Sequence, residues 1–448
     1  MAAPTLAAWM LEQEARGLLT RLARVEPFAL HMPMVSAAAI TPAAQVAIER
    51  HMASRRRELR GRVADYLRWL KSPIGQQAPP QEAQRRFTFL KLRFNAVLSQ
   101  FHIFADVLTQ RSEHETGVWL SGLDAVAADA LALPRCYFAA PPVICYLDRG
   151  PGAAIRRVRT PLPGGSLNPV AIVRVPRERM IGSGLASSLV HEVGHQGSAL
   201  LGLLASVRRE IERRQVAGTE EAAAWRLYAR WISEILADFW SIARLGVTAT
   251  LGLMGVVSLP RTFVFRLSEE DPHPIPWIRV KLGVAMGRAL HPSRRWDRIA
   301  QLWESYYPLD PIEPSKRKLF AALEGTMPAL AALLVNHRPG SLGGKSLKEA
   351  MAVDERQPAR LADYWAAWRA SPSKLFEAAP SLVFAVVGQA KGDGKISPEE
   401  ESNTLTRMLT HWALKGALET STACASRPPA GLCRPGWGSE AGYRSIVH

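Results

Sequence analysis

The sequence predicts a mostly helical α+β protein. Three observations predict it: apolar residues recur near a 3.6-residue period over most of the chain, three short β-branched runs cluster just after Pro134, and helical spacing returns beyond them. The 448 residues are 48% hydrophobic, 21% charged and 8% aromatic, proportions that exclude wholesale disorder, collagen and coiled coil. At roughly 100–200 residues per domain the length suggests several domains.

In chain order, Trp9, Leu11, Leu18, Leu19 and Leu22, then Phe87, Phe89, Leu90, Phe94, Leu98, Phe101, Phe104 and Leu108, mark helices across residues 1–130. Turn signals at Pro73-Ile74-Gly75 and Ala78-Pro79-Pro80 cut this region into a helical bundle. After Pro134 the runs Val143-Ile144-Cys145-Tyr146-Leu147, Ala154-Ile155-Arg156-Arg157-Val158 and Val170-Ala171-Ile172-Val173-Arg174-Val175 read as three strands of a small sheet. One helix is expected from Leu185 to about Arg214. A second is expected from an N-cap at Thr219 to Gly246, with Glu220 and Glu221 at its positive end. Residues 345–420 return to helix, and 421–448 have the composition of a flexible tail. The expected organisation is an N-terminal bundle over 1–130, a central α+β domain over 131–345, a C-terminal helical region over 346–420 and the tail.

No run of 18 or more uninterrupted apolar residues is present, so no transmembrane segment is expected; the nearest approach, residues 245–260, contains three glycines and is bracketed by Arg244 and Arg261. The N-terminus carries Glu12 and Glu14 and lacks a basic secretory n-region, and four widely spaced cysteines suit free thiols in a reducing compartment. A cytoplasmic location is the expectation. The net charge of +16 permits nucleic acid, lipid headgroups or an acidic protein as partner and does not choose among them; the arginine run at 55–62 could serve nucleic acid or a membrane, but a solvated helix face explains it as well.

The chemistry lies in His191-Glu192-Val193-Gly194-His195. On a helix, i and i+4 imidazoles share one face and can meet one Zn²⁺, while Glu192 falls beside the place of a bound water as general base. The flanks, Ser187 to Val190 and Gln196 to Leu201, are uncharged, so the segment reads as buried, and buried titratable groups need partners. A catalytic site requires a third ligand. Glu234, in Trp231-Ile232-Ser233-Glu234-Ile235-Leu236-Ala237-Asp238, is the best candidate, because two acids at i and i+4 among apolar residues demand a cation. The plain alternative pairs Glu234 with Arg230 on a surface. An antiparallel helix pair turning near Gly218 would bring Glu234 within roughly 10 Å of the histidines along the axis, with Asp238 alongside to hold one ring through its second nitrogen.

H-E-x-x-H followed on a later helix by E-x-x-x-D resembles the gluzincin metallopeptidases. That resemblance implies a zincin-like domain whose active-site helix packs beneath a small sheet with an edge strand for extended substrate. It further implies His191, His195 and Glu234 as zinc ligands, Glu192 as base and Asp238 behind the ligands. Asp271-Pro272-His273-Pro274-Ile275-Pro276-Trp277-Ile278-Arg279 is similar to the H-P-x-x-x-x-R element of M48-type peptidases, in which the histidine faces the oxyanion and the arginine braces the site. The resemblance covers roughly residues 140–300 and implies hydrolysis of a peptide or protein substrate by an M48-like enzyme; typical M48 enzymes carry membrane helices or a signal peptide, whereas the lack of a long apolar run here makes a soluble protein the expectation. The alternative is a catalytically silent zincin-like protein whose basic surface organises assembly. The run from Gln389 to Glu400 matches only part of a calcium loop, with Lys391 where a carboxylate belongs.

Overall fold

The computed structural model describes residues 6–25, 34–150, 152–177, 181–215, 220–268, 271–310 and 312–426. Four helices come first: α1 (Leu6–Ala23), α2 (Pro42–Lys71), α3 (Pro80–Thr109) and α4 (His114–Leu131). Three strands follow, β1 (Val143–Asp148), β2 (Ala154–Arg156) and β3 (Ala171–Pro176). The rest is helical: α5 (Ser183–Leu200), α6 (Leu203–Glu212), α7 (Glu220–Leu245), α8 (Val247–Val257), α9 (Pro276–Leu290), α10 (Arg295–Tyr306), α11 (Pro314–Asn336), α12 (Pro358–Ala370), α13 (Pro380–Gly392) and α14 (Pro398–Ser426). The predominantly helical α+β class and the small sheet therefore stand as the sequence predicts.

Two local expectations are corrected. Pro73-Ile74-Gly75 forms a short helix, Pro73–Gln77, because the Ser72 side chain accepts from Gly75 N and caps it. The single helix expected from Leu185 breaks at Gly202, whose φ of +64° is a left-handed conformation that glycine adopts without penalty. The N-cap proposed at Thr219 and the tail beyond residue 426 lie outside the described residues.

The sheet has the order β1-β3-β2, with β1 parallel and β2 antiparallel to β3. Strand alternation divides its faces. Val143, Cys145, Leu147, Ala171, Val173 and Val175 enter a core shared with α4, α5, α7, α9, α11, α13 and α14. Ile144 and Ile172 point the other way, into the apolar cluster built by α1, α2 and α3. The larger core takes in Leu120 to Leu131 before the strands and Leu382 to Trp412 near the C-terminus, so chain segments far apart in sequence close around the α5–α7 pair.

One described helix, α11, is long and apolar enough to cross a membrane by length and composition. It packs against α7 and α9, burying Phe320, Leu323, Met327, Leu330 and Leu334, and the Tyr228 hydroxyl donates to Leu323 O at 2.6 Å. Its apolarity is that of a core helix. Segment 245–260 holds only the eleven-residue α8, too short for a span.

Candidate metal centre

Helix α5 starts at Ser183, where Glu401 of α14 accepts from Ser183 N at 3.1 Å; Lys391 holds the same carboxylate at 2.7 Å. An anion at this end complements the first-turn N–H groups. About three turns later, at Gly194, α5 meets α7 at very short range. A Cβ on Gly194 would stand 2.8 Å from Trp240 Cβ and 2.9 Å from Ala237, and one on Gly197 would stand 2.4 Å from the Trp240 ring. Glycine at both places lets the backbones approach until side chains of α5 and α7 interlock around Trp240, whose indole N–H donates to Ala130 O at 2.9 Å.

This closeness brings His191, His195 and Glu234 together. His191 Nε2 lies 3.2 Å from Glu234 Oε2 and His195 Nε2 lies 3.3 Å from Glu234 Oε1. The ligand atoms of the three residues all lie within 4.8 Å of one another. Their side chains are 12%, 15% and 10% exposed, respectively. The Arg230 alternative is not what forms: Arg230 reaches Ser268 O, and no ion pair joins it to Glu234 among the described residues.

The outer partners are equally specific. Asp238 Oδ1 lies 2.7 Å from His191 Nδ1, which turns Nε2 towards Glu234. Arg279, from the first turn of α9, donates to Asp238 through Nε at 2.7 Å and Nη2 at 2.8 Å, a two-pronged clamp on one carboxylate. Its Nη2 is also 3.7 Å from Glu234. His273 comes in from the loop before α9, with Nδ1 on Asp271 Oδ1 at 2.7 Å and Nε2 3.3 Å from Glu234 Oε2. It is 49% exposed and forms the solvent side of the cluster. Glu192 faces a cavity of about 160 Å³ bounded by Gly152, Ala153, His191, Leu253, Val256 and His273. The residues leading into β2 thus face the H-E-x-x-H helix across that cavity.

The electrostatics follow from this packing. Burial pushes the His191 pKa down, but Asp238 and Glu234 outweigh it and raise the ring to about 9. Burial pushes Asp238 up, and the charges of Arg279 and His191 overcome that and hold it at about 2. Glu234 is likewise held well below the usual carboxylate range, because its contacts with the two imidazoles exceed its burial penalty. Burial opposes the Arg279 charge, and Asp238 more than restores it, leaving its pKa raised. The two carboxylates thus favour positive charge on the His191 ring, against the Arg279 Nη2 that lies 3.4 Å from His191 Nε2.

The donor set fits a metal ion. Two donors held at about 2.0–2.1 Å from one tetrahedral ion stand about 3.4 Å apart, close to the 3.2 and 3.3 Å seen between imidazole and carboxylate. Glu234 Oε2 is buried yet makes no aligned hydrogen bond, so an acceptor pointed at the histidines is left for another cation.

Several contributors were not read from the sequence. Ser233 Oγ lies 3.3 Å from His195 Nδ1 and gives that ring its second partner. Gln196, immediately after the motif, is buried and accepts from Val158 N at 2.9 Å, tying the segment after β2 to α5. Asp271 orients His273. A serine beside Glu234 and an acid two residues before His273 were the available signals. The calcium-loop residues are engaged elsewhere: Asp393 pairs with Arg295 at 2.6 Å, and Glu400 accepts from Ser397 N at 2.9 Å.

No protein-family model, no curated protein and no solved structure matches this chain.

Proposed function

We propose that the chain is a zinc-dependent metallopeptidase of the gluzincin kind, with a zincin-like arrangement of the strands and of α5 and α7. The observation that carries the reading is the convergence of His191 Nε2, His195 Nε2 and Glu234, each imidazole at donor-pair spacing from one carboxylate oxygen, with Glu234 Oε2 buried and making no aligned hydrogen bond. Two imidazoles and one carboxylate suit zinc better than a hard cation. When bound, the ion supplies Lewis-acid polarisation of a carbonyl and a water acidic enough to attack at neutral pH.

The chain's own residues do the rest. Asp238 accepts from His191 Nδ1 and fixes the tautomer and ring angle, and the Arg279 clamp keeps Asp238 ionised and aimed. Because both prongs of Arg279 are engaged on Asp238, it braces the site, and oxyanion stabilisation falls to His273, whose half-exposed ring lines the cavity with Nε2 3.3 Å from Glu234 Oε2. Glu192, facing the cavity, takes a proton from the attacking water and returns it to the leaving amine. An extended peptide would lie along β2: its approach at Gly152 and Ala153 forms the opposite wall of the cavity.

Metal content measured by elemental mass spectrometry, together with turnover of a quenched peptide library, tests this. One zinc per chain is expected, retained in Glu192→Gln with turnover falling by about 10²–10⁴, and lost in Glu234→Ala. Absence of zinc from a chelator-free preparation, or retention unaltered without Glu234, would refute the assignment.

A further inference from the structure

On the other face of β2 and β3 lies a cleft of about 860 Å³, between the sheet and the C-terminal half of α3. It is separate from the metal cavity: Ala153 borders the one and Ala154 the other. The register fixes what covers its floor. Arg174 of β3 sits in a row between Tyr146 of β1 and Ala154 of β2, and Arg156 is two residues along β2 on the same face. Diagonal neighbours in a sheet are about 7–8 Å apart. Arg157 joins them in the lining.

Like charges held on one face of a sheet repel. Yet none of Arg156, Arg157 and Arg174 lies within 4.0 Å of a carboxylate among the described residues. Arg174 Nε is buried and has no hydrogen-bond partner. The Tyr146 hydroxyl adds a donor, protonated at neutral pH like any phenol, and burial moves its pKa further up. Asp106, Asp148 and Glu113 also line the cleft, and Glu113 pairs outward with Arg177 at 3.7 Å. These acids disfavour a polyanion and suit a ligand that presents hydroxyl or amino donors alongside its anionic end. The volume lies at the upper end of the range for small-molecule sites.

We propose that this cleft binds a small phosphate monoester carrying hydroxyl or amino groups, its phosphate seated on Arg174, Arg156 and Tyr146. Two arginine forks and a phenol match the several acceptor oxygens of a phosphate, and the low accessibility of Arg174 strengthens each charge-assisted bond. The site is independent of the metal centre.

Isothermal titration of the full chain with inorganic phosphate and with O-phosphoethanolamine tests it without any enzymatic readout. One-to-one binding is expected, tighter for O-phosphoethanolamine. Arg174→Gln should weaken it at least about tenfold, the loss of one charge-assisted contact, and Arg60→Gln on α2, outside the cleft, should leave it unchanged. Ala154→Asp places a carboxylate in the same cross-strand row, so it should abolish binding while circular dichroism and melting temperature hold. That variant keeps the test valid should Arg174→Gln fold poorly. Equal affinity in Arg174→Gln and the parent, or undiminished binding in Ala154→Asp, would overturn the proposal. So would binding to phosphatidic acid vesicles with none to either soluble phosphate, which would place the ligand on a membrane surface.

Discussion

The two edges of the three-stranded sheet are finished in opposite ways. At β1 the outward backbone groups are closed by side chains: the Gln110 amide pairs with both the N–H and the C=O of Leu147 at 2.7 Å, as a neighbouring strand would. Asp124 accepts from Cys145 N at 2.7 Å, and Arg111 donates to Cys145 O at 2.7 Å. At β2 the strand is three residues long, and the segment entering it borders the cavity beside His191 and Glu192. Edge strands invite added strands. One edge of this sheet is plugged by half-buried Gln110 and buried Arg111 and Asp124, none of which lines the cavity beside His191 and Glu192, and the other edge lies beside that cavity. The plug and the proposed chemistry thereby lie on different sides of one small sheet.

That division can be broken most forcefully at the β1 plug. Arg111 and Asp124 are both buried, with Nη1 and Oδ2 3.0 Å apart, and removing one partner strands the other charge in the core. Asp124→Ala should therefore cost about 3–5 kcal/mol of unfolding free energy, read by urea titration, with zinc stoichiometry in the surviving folded fraction unchanged. A loss below about 1 kcal/mol, the scale of an exposed pair, would show that the plug is not structural. Zinc depletion in the folded fraction would show that the two sides are coupled.

Asp238→Asn probes the other side and has a smaller effect. It keeps an acceptor near His191 Nδ1 but removes the charge that Arg279 clamps. Zinc affinity, measured by competition with a chromophoric chelator, should fall about 10–100-fold. Because Arg279 would keep a buried charge with a weakened partner, some stability should be lost as well. Unaltered zinc affinity would sink the role given to Asp238.

These two sides were unequally legible in the sequence. His191, Glu192 and His195 could be read because helical spacing alone fixes their common face, and Glu234 with Asp238 because a buried i, i+4 acid pair is implausible without cations. His273 and Arg279 were legible only through the resemblance of their H-P-x-x-x-x-R run to a known element, not from spacing alone. The plug was not. Gln110, Arg111 and Asp124 are ordinary polar residues on and between helices, and their purpose exists only once β1 lies beside them. The same holds for Glu401, which caps α5 across 218 residues of sequence, and for Gly194 and Gly197, whose meaning depends on Trp240. Gly202 was visible as a residue, but the apolar run on either side of it masked the break. Local periodicity carries the ligands; long-range polar contacts carry the scaffold that presents them.

The mildest perturbation addresses the edge itself. Gln110→Ala deletes two hydrogen bonds of about 1 kcal/mol each and leaves Arg111 and Asp124 in place, so the fold should persist with a loss of about 1–2 kcal/mol. What changes is the chemistry of β1, because Leu147 N–H and C=O would be released at an edge strand. Concentration-dependent association in sedimentation velocity, absent from the parent, is the expected signature. A Gln110→Glu variant separates its causes: it retains an acceptor for Leu147 N–H but adds charge, which opposes strand addition. It should lose comparable stability without associating. If Gln110→Ala stayed monomeric at every concentration, the amide would be no more than two hydrogen bonds, and the contrast between a plugged and an open edge would reduce to the buried Arg111–Asp124 pair.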